Sequence, residues 1–226
     1  MSPSTSPGTG LELFVHPFSS YSWKALIPIW ADGTPFEYRK VGGDEPVATA
    51  RLAELWPFAK FPVLVDNGQV IPEATCIIEH LQAHHPGPNI WIPDGDLGRS
   101  VRFLDRFFDL YVQGNMQPAV NHALRPEGQG DEYGAEQGRK NLRIAYDWLE
   151  ANLPGSGWAA GETFTLADCA AAPALFYADW VEEIGDGRPK LRAYRARLLA
   201  HPQVSRAVEE ARPFRPYFPL GAPDRD

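Results

Sequence analysis

Phe61-Pro62-Val63-Leu64-Val65-Asp66-Asn67-Gly68-Gln69-Val70-Ile71 decides how the first third of this chain folds. Two apolar runs flank the Asp66-Asn67-Gly68-Gln69 turn, and Asn-Gly between such runs is a strong hairpin signal, because a tight two-residue turn needs positive φ at both central positions. Residues 61–65 and 70–71 therefore read as paired antiparallel strands, and residues 75–83 follow with the spacing of an amphipathic helix. Upstream, residues 11–16 form a short apolar strand and residues 36–41 a second one. Between them residues 23–30 read as a helix that Pro28 is expected to bend or end early. Strand, helix and strand with short links make a βαβ unit, normally parallel and right-handed.

The order βαβ then ββα is that of a thioredoxin-like α/β domain, placed at residues 10–88 and closed by the Pro86-Gly87-Pro88 breaker. Beyond residue 96 the periodicity becomes helical. Val101, Leu104, Phe108 and Tyr111 share a stripe, with Arg102, Asp105, Arg106 and Asp109 largely off it. Leu142, Ala145, Tyr146 and Leu149 repeat the pattern within 139–153, and 166–181 is apolar enough for a central buried helix. This predicts an all-α helical bundle domain over residues 96–216, with a loop at Glu127-Gly128-Gln129-Gly130. After Pro213 an irregular strap leads into a tail at 217–226. Residues 1–9 lack an apolar core and read as a disordered leader rather than a signal or a span.

At 226 residues and 44% apolar content the chain can bury two modest cores. Its net charge of −8, with acids and bases interspersed, lacks the clustered Lys and Arg of a nucleic-acid footprint. No stretch approaches the length of a membrane span. Two distant cysteines, Cys76 and Cys169, suggest neither a disulfide scaffold nor a zinc site, so a cytoplasmic protein is expected.

The chemistry starts at Ser19-Ser20-Tyr21-Ser22-Trp23-Lys24, where hydroxyls follow a strand and open a helix. A helix N-terminus with unpaired N–H groups favours an anion, and a thiolate suits that place. Taken alone, a Ser-Ser pair more simply caps a helix. Three further motifs reverse that order. They are Lys60-Phe61-Pro62-Val63-Leu64, Glu73-Ala74-Thr75-Cys76-Ile77-Ile78-Glu79-His80-Leu81, and Gly161-Glu162-Thr163-Phe164-Thr165-Leu166-Ala167-Asp168. With them the chain resembles the glutathione transferase family over roughly residues 10–215. The first motif is similar to the Ser-Ser-Cys-x-Trp-Arg signature of the zeta class, with Tyr21 in the cysteine place. The Leu-Glu-Leu-Phe strand ahead of Ser19 resembles the theta class and its catalytic serine.

The resemblance implies glutathione as co-substrate, Ser19 as thiolate stabiliser, and Ser20, Tyr21 and Ser22 as reserves. Bringing a thiol from pKa about 8.5 to about 6.5 needs roughly 2.7 kcal/mol of preferential stabilisation of the anion. One charge-assisted hydrogen bond with backbone donors can supply that. It further implies a cis bond before Pro62, the Phe61 backbone pairing with the cysteinyl backbone, and Lys60 facing the glycyl carboxylate. Glu73 would meet the α-ammonium of the γ-glutamyl end, and the N–H groups of Ala74 and Thr75 its α-carboxylate. Ala74 stands where the family carries serine. The lost hydroxyl would weaken glutathione by roughly 1.5–3 kcal/mol unless Thr75 substitutes. Thr165 and Asp168 have capping-box spacing with Phe164 as a staple residue, a folding device rather than a catalytic one.

His80 and His84, four apart on a helix, could share a metal, but they show no third ligand and read as surface residues, so no metal is expected. Cys76 and Cys169 sit among apolar neighbours and read as buried and inert. Phe103, Phe107, Phe108 and Tyr111 read mostly as core, some of them joining Met116 and Tyr21 around an apolar electrophile pocket between the domains. The resulting expectation is a homodimeric glutathione S-transferase of the detoxification kind. Two alternatives stand beside it. One is a glutathione-dependent cis-trans isomerase of the maleylacetoacetate type, with Arg102 and Arg106 as candidates for holding a diacid. The other is a non-catalytic binding or dimerisation module.

Overall fold

The computed structural model describes residues 10–225, so the leader predicted at 1–9 lies outside the described residues. The described residues divide into two compact units, with the boundary between Ile90 and Trp91.

The first unit runs β1 (Leu11–Val15), α1 (Ser20–Asp32), β2 (Glu37–Lys40), α2 (Pro46–Leu55), β3 (Val63–Asp66), β4 (Gln69–Pro72) and α3 (Ala74–His84). The sheet order is β2-β1-β3-β4; β1 and β2 are parallel, and the other neighbours are antiparallel. The hairpin closes as the sequence predicts, with Asp66 opposite Gln69 and positive φ at Asn67 (47°) and Gly68 (92°). Strand side chains alternate faces. Leu11, Leu13 and Val15 accordingly pack with Ala25, Leu26 and Ile29 of α1 and Ile77 and Leu81 of α3. Phe14 points the other way, into a second cluster with Val41, Leu52, Val63 and Val65. Both faces of β1 are thus buried, and its residues are apolar almost throughout.

Pro28 neither ends nor shortens α1, which continues to Asp32 and stops at Gly33 (φ 65°), whose N–H reaches Ile29 and Trp30 carbonyls. A mid-helix proline costs about 3 kcal/mol. Burial of Trp23, Leu26, Ile27 and Ile29 offsets it, at about 1.5–3 kcal/mol per side chain. The sequence reading missed α2 because Leu52 is its one buried residue, which leaves no helical stripe. The available signal was Pro46 at the first turn ahead of good helix formers.

The second unit contains α4 (Gly95–Phe107), a π-helical segment (Phe108–Gln113), α5 (Gly114–Leu124), α6 (Glu132–Asn152), α7 (Leu166–Val181), α8 (Pro189–Ala200) and α9 (Pro202–Ala211), then a 3-10 segment (Arg212–Tyr217). All sixteen residues of α7 are buried, as its composition predicts. The stripe drawn through Tyr111 fails. The π segment widens the turn, so Val112 is fully buried while Tyr111 is 54% exposed. Phe103 is also exposed rather than core, and Asp105, expected off the stripe, is buried. Among the described residues no helix is long and apolar enough to cross a membrane.

Candidate active site

Register aligns Phe14, Val63 and Pro72 across β1, β3 and β4. Three chain segments leave the sheet at this one end: His16 to Ser19 after β1, Phe61-Pro62 before β3, and Glu73 after β4. With strands about 4.8 Å apart, three of them span about 10 Å. An extended tripeptide has that length, at about 3.3–3.6 Å per residue.

At the first segment Ser19 is the N-cap of α1, in extended backbone, and its Oγ accepts from the Ser22 N–H at 3.2 Å. The hydroxyl hydrogen of Ser19 is donated to no described residue. Ser20, half-buried, opens the helix with neither its N–H nor its hydroxyl engaged by a described partner. Ser22 cannot serve as a reserve. It is fully buried, and its Oγ accepts the His16 N–H at 3.2 Å. Tyr21 points outward at 37% exposure.

His16 went unnoticed in the sequence. Its Nδ1 accepts the Phe18 N–H at 3.1 Å, which shapes the loop carrying Ser19, and its ring lies 6.2 Å from that of Phe61. Burial, then the nearby Lys40 cation, hold His16 below its ordinary pKa, with Asp44 opposing. The imidazole is neutral with the hydrogen on Nε2, since Nδ1 accepts. A lone histidine between a strand and a proline carries no local pattern that would mark it.

The Phe61-Pro62 bond is cis. Lys60 is exposed and pairs with no described residue. On the far side of the row Glu73 holds the N-cap position of α3 without a side-chain cap bond, at φ 71° and ψ 126°, a left-handed conformation costly for a residue with a side chain. Its carboxylate is exposed and makes no described hydrogen bond or ion pair. The Ala74 N–H likewise has no described acceptor, while the Ala74 methyl packs in the core beside Ile71 and Ile77. Thr75, half-buried, follows in the first turn.

Cys76 is exposed, against expectation, because Ala74, Ile77, Ile78 and Leu81 form the buried face of α3 and residue 76 falls opposite; Cys169 is buried as predicted. His80 is not a surface residue. Its side chain is only 10% exposed and meets Asp66, while His84 is exposed and merely stacks on the His80 ring, centroids 4.5 Å apart. In the second unit Phe107, Phe108 and Met116 are buried, and Arg102 and Arg106 are exposed on α4.

The cap of α7 is a different object. Thr165 and Asp168 form the reciprocal capping box, and Asp168 also accepts from the Ala159 N–H at 2.8 Å and the Tyr194 hydroxyl at 2.7 Å. Burial pushes the Asp168 carboxyl up, partly offset by these donors. Phe164 stacks on His201 at 4.1 Å.

Comparison with known proteins agrees with this architecture. The chain is 29% identical over 167 residues to a probable maleylacetoacetate isomerase of Caenorhabditis elegans, covering 71% of this chain and 75% of that one. It is 29% identical over 200 residues to human glutathione S-transferase theta-2B, covering 84% and 81%. A glutathione S-transferase structure from Methylobacterium radiotolerans, in complex with glutathione sulfonate, superposes with a TM-score of 0.75 at 24% identity, over 88% of this chain and 94% of that one, a likeness of fold. Residues 13–89 match the glutathione S-transferase N-terminal domain and residues 107–202 the glutathione S-transferase C-terminal domain. With both halves matched in order, the chain belongs to the glutathione S-transferase family.

Proposed function

We propose that this chain binds glutathione across the Phe14–Val63–Pro72 end of its sheet and transfers the thiolate to a small apolar electrophile. The observation that carries the reading is the set of uncommitted groups along that end: a lysine at 60, a serine hydroxyl hydrogen at 19, a carboxylate at 73. On the neighbouring strand β2 the cations are committed, Arg39 to Glu12 and Lys40 to Asp44. A zwitterionic tripeptide complements the order of these groups. Lys60 meets the glycyl carboxylate, the Phe61 backbone pairs with the cysteinyl backbone, and Glu73 takes the α-ammonium of the γ-glutamyl end. The Ala74 N–H, with Thr75, meets the α-carboxylate at the positive end of α3.

Ser19 then donates its hydroxyl hydrogen to the sulfur, with Ser20 and the α1 N-terminus adding positive potential. The stabilised thiolate uses a lone pair to form the S–C bond to the electrophile. Its displaced electrons leave with a leaving group or settle on the acceptor, which solvent protonates. Catalysis comes from positioning and from the raised thiolate fraction. A cytoplasmic homodimer is the expected form. Ser19-Ser20 with Trp23, together with the isomerase relative, favours a second reading in which the same thiolate adds to a cis double bond, lets it rotate and leaves.

Calorimetric titration with glutathione of the wild-type chain, Ser19→Ala and Glu73→Ala is the test. Micromolar-to-millimolar binding that weakens in Glu73→Ala supports the site, and turnover of a cis-dienone diacid without conjugate formation selects the second reading. No binding by the wild-type chain sinks both and leaves a non-catalytic module.

A further inference from the structure

α3 begins at the glutathione end of the sheet and runs about 16 Å, at 1.5 Å per residue, toward the opposite end. There the row Leu11–Asp66–Gln69 closes β1, β3 and β4. At this far end Asp66 Oδ2 lies 2.8 Å from His80 Nε2 and 2.7 Å from His85 Nε2, and the three donor atoms all fall within 4.8 Å of one another. Three separate local events bring them together. Asp66 is fixed by the hairpin turn, where its Oδ1 accepts from the Asn67 side-chain amide at 2.8 Å and its Oδ2 is turned toward the two imidazoles. His80 faces it from the body of α3. His85 reaches it because the helix ends there: as C-cap, with φ −132° and ψ 55°, it folds back beside His80, which an i,i+5 pair inside a helix would not do.

We propose that Asp66, His80 and His85 form a binding site for a divalent transition-metal ion of the zinc class. Two imidazole nitrogens and one carboxylate oxygen are a borderline donor set, suited to Zn²⁺, Co²⁺ or Ni²⁺ and poor for Ca²⁺ or Mg²⁺. With metal–ligand distances of about 2.0–2.2 Å, tetrahedral ligands stand about 3.3 Å apart. The observed separations therefore need to open by about half an ångström, which the partly exposed His85 can accommodate at the end of its helix. On binding, each imidazole gives its Nε2 hydrogen to Nδ1 or to solvent and presents the lone pair, and the Asn67 amide keeps the carboxylate oriented. Three protein ligands leave a fourth position for water. The ion would staple the C-terminus of α3 to the β3–β4 hairpin, at the end of the sheet remote from the glutathione groups. The proposal is therefore independent of the glutathione reading.

The test uses the full chain without a histidine tag, first stripped with a chelator. It is titrated with Co²⁺ by visible absorption and with Zn²⁺ by calorimetry, alongside His85→Gln, Asp66→Asn and His84→Gln. The expected result is one equivalent per chain with micromolar or tighter affinity and a ligand-field band, tenfold or greater weakening in His85→Gln and Asp66→Asn, and less than twofold change in His84→Gln. His85→Gln removes a ligand at the surface, and far-ultraviolet circular dichroism confirms that the variant is folded. Absence of one-equivalent binding to the wild-type chain overturns the proposal. Undiminished binding in folded His85→Gln does the same, as does an equal loss in His84→Gln.

Discussion

The N-terminus of α7 and those of α1 and α3 are built from similar residues and do opposite things. At α7 every oxygen of Asp168 is in use, shared among Thr165, Ala159 and Tyr194, and the site is buried. At α1 the Ser19 oxygen takes one N–H and keeps its hydrogen; at α3 Glu73 caps nothing and sits at φ 71°. A saturated cap contributes to folding, because burying an unpaired polar group costs too much to leave it open. A cap left open beside solvent retains groups a ligand can use, and the positive φ of Glu73 leaves its carboxylate uncommitted at the start of α3.

Replacing Asp168 is the strongest attempt to break this contrast. Asp168→Ala leaves the Ala159 and Thr165 N–H groups and the Tyr194 hydroxyl unpaired, and should cost about 3–5 kcal/mol by denaturant unfolding. The protein that remains folded should bind glutathione as before. Ser19→Ala should do the reverse, lowering kcat/KM by about 10–100-fold, the value of one hydrogen bond to a charged group, while stability falls by about 1 kcal/mol. Ser20→Ala, measured beside it, should lose less than about threefold, and the opposite order would move the thiolate to Ser20.

Glu73→Gly sharpens the contrast further. Glycine adopts φ 71° without a Cβ penalty, so its greater unfolded-state entropy is offset and stability should stay within about 1 kcal/mol of the wild type. Glutathione affinity should drop tenfold or more in the same protein, whereas a large stability loss would make Glu73 a structural cap after all. The smallest effect belongs to His16. Folding depresses its pKa, so the stability carried by its neutral form is complete above its ordinary value of 6.5 and is lost as pH falls through the window below it. Thermal midpoints taken from about pH 7 to about pH 5 should fall more steeply for the wild type than for His16→Gln, whose side-chain carbonyl accepts the Phe18 N–H without titrating.

Much of this was readable from short-range rules. The Asn67-Gly68 hairpin, the Thr165–Asp168 capping box and the apolar run of α7 each express constraints acting within four or five residues. The misreadings share a cause. The local cost of Pro28 is outweighed by burial along α1, and the 3.6-residue period that points Tyr111 inward is interrupted by the π segment. The apolar sequence neighbours of Cys76 suggest burial, but the face of α3 it occupies is exposed.

By itself the sequence determined the βαβ and hairpin order, the two-part α/β and all-α organisation, and, His16 apart, the residues that end up at the Val63–Pro72 end of the sheet. Periodicity, turn chemistry and capping are properties of neighbouring residues. Tertiary structure alone decided which groups were left open and which were consumed. It spent Ser22 on the His16 N–H, set His16 against Phe61, and drew Asp66, His80 and His85 to one point. Strand register and the angle at which a helix ends settle those meetings, and both depend on packing between residues far apart in the chain.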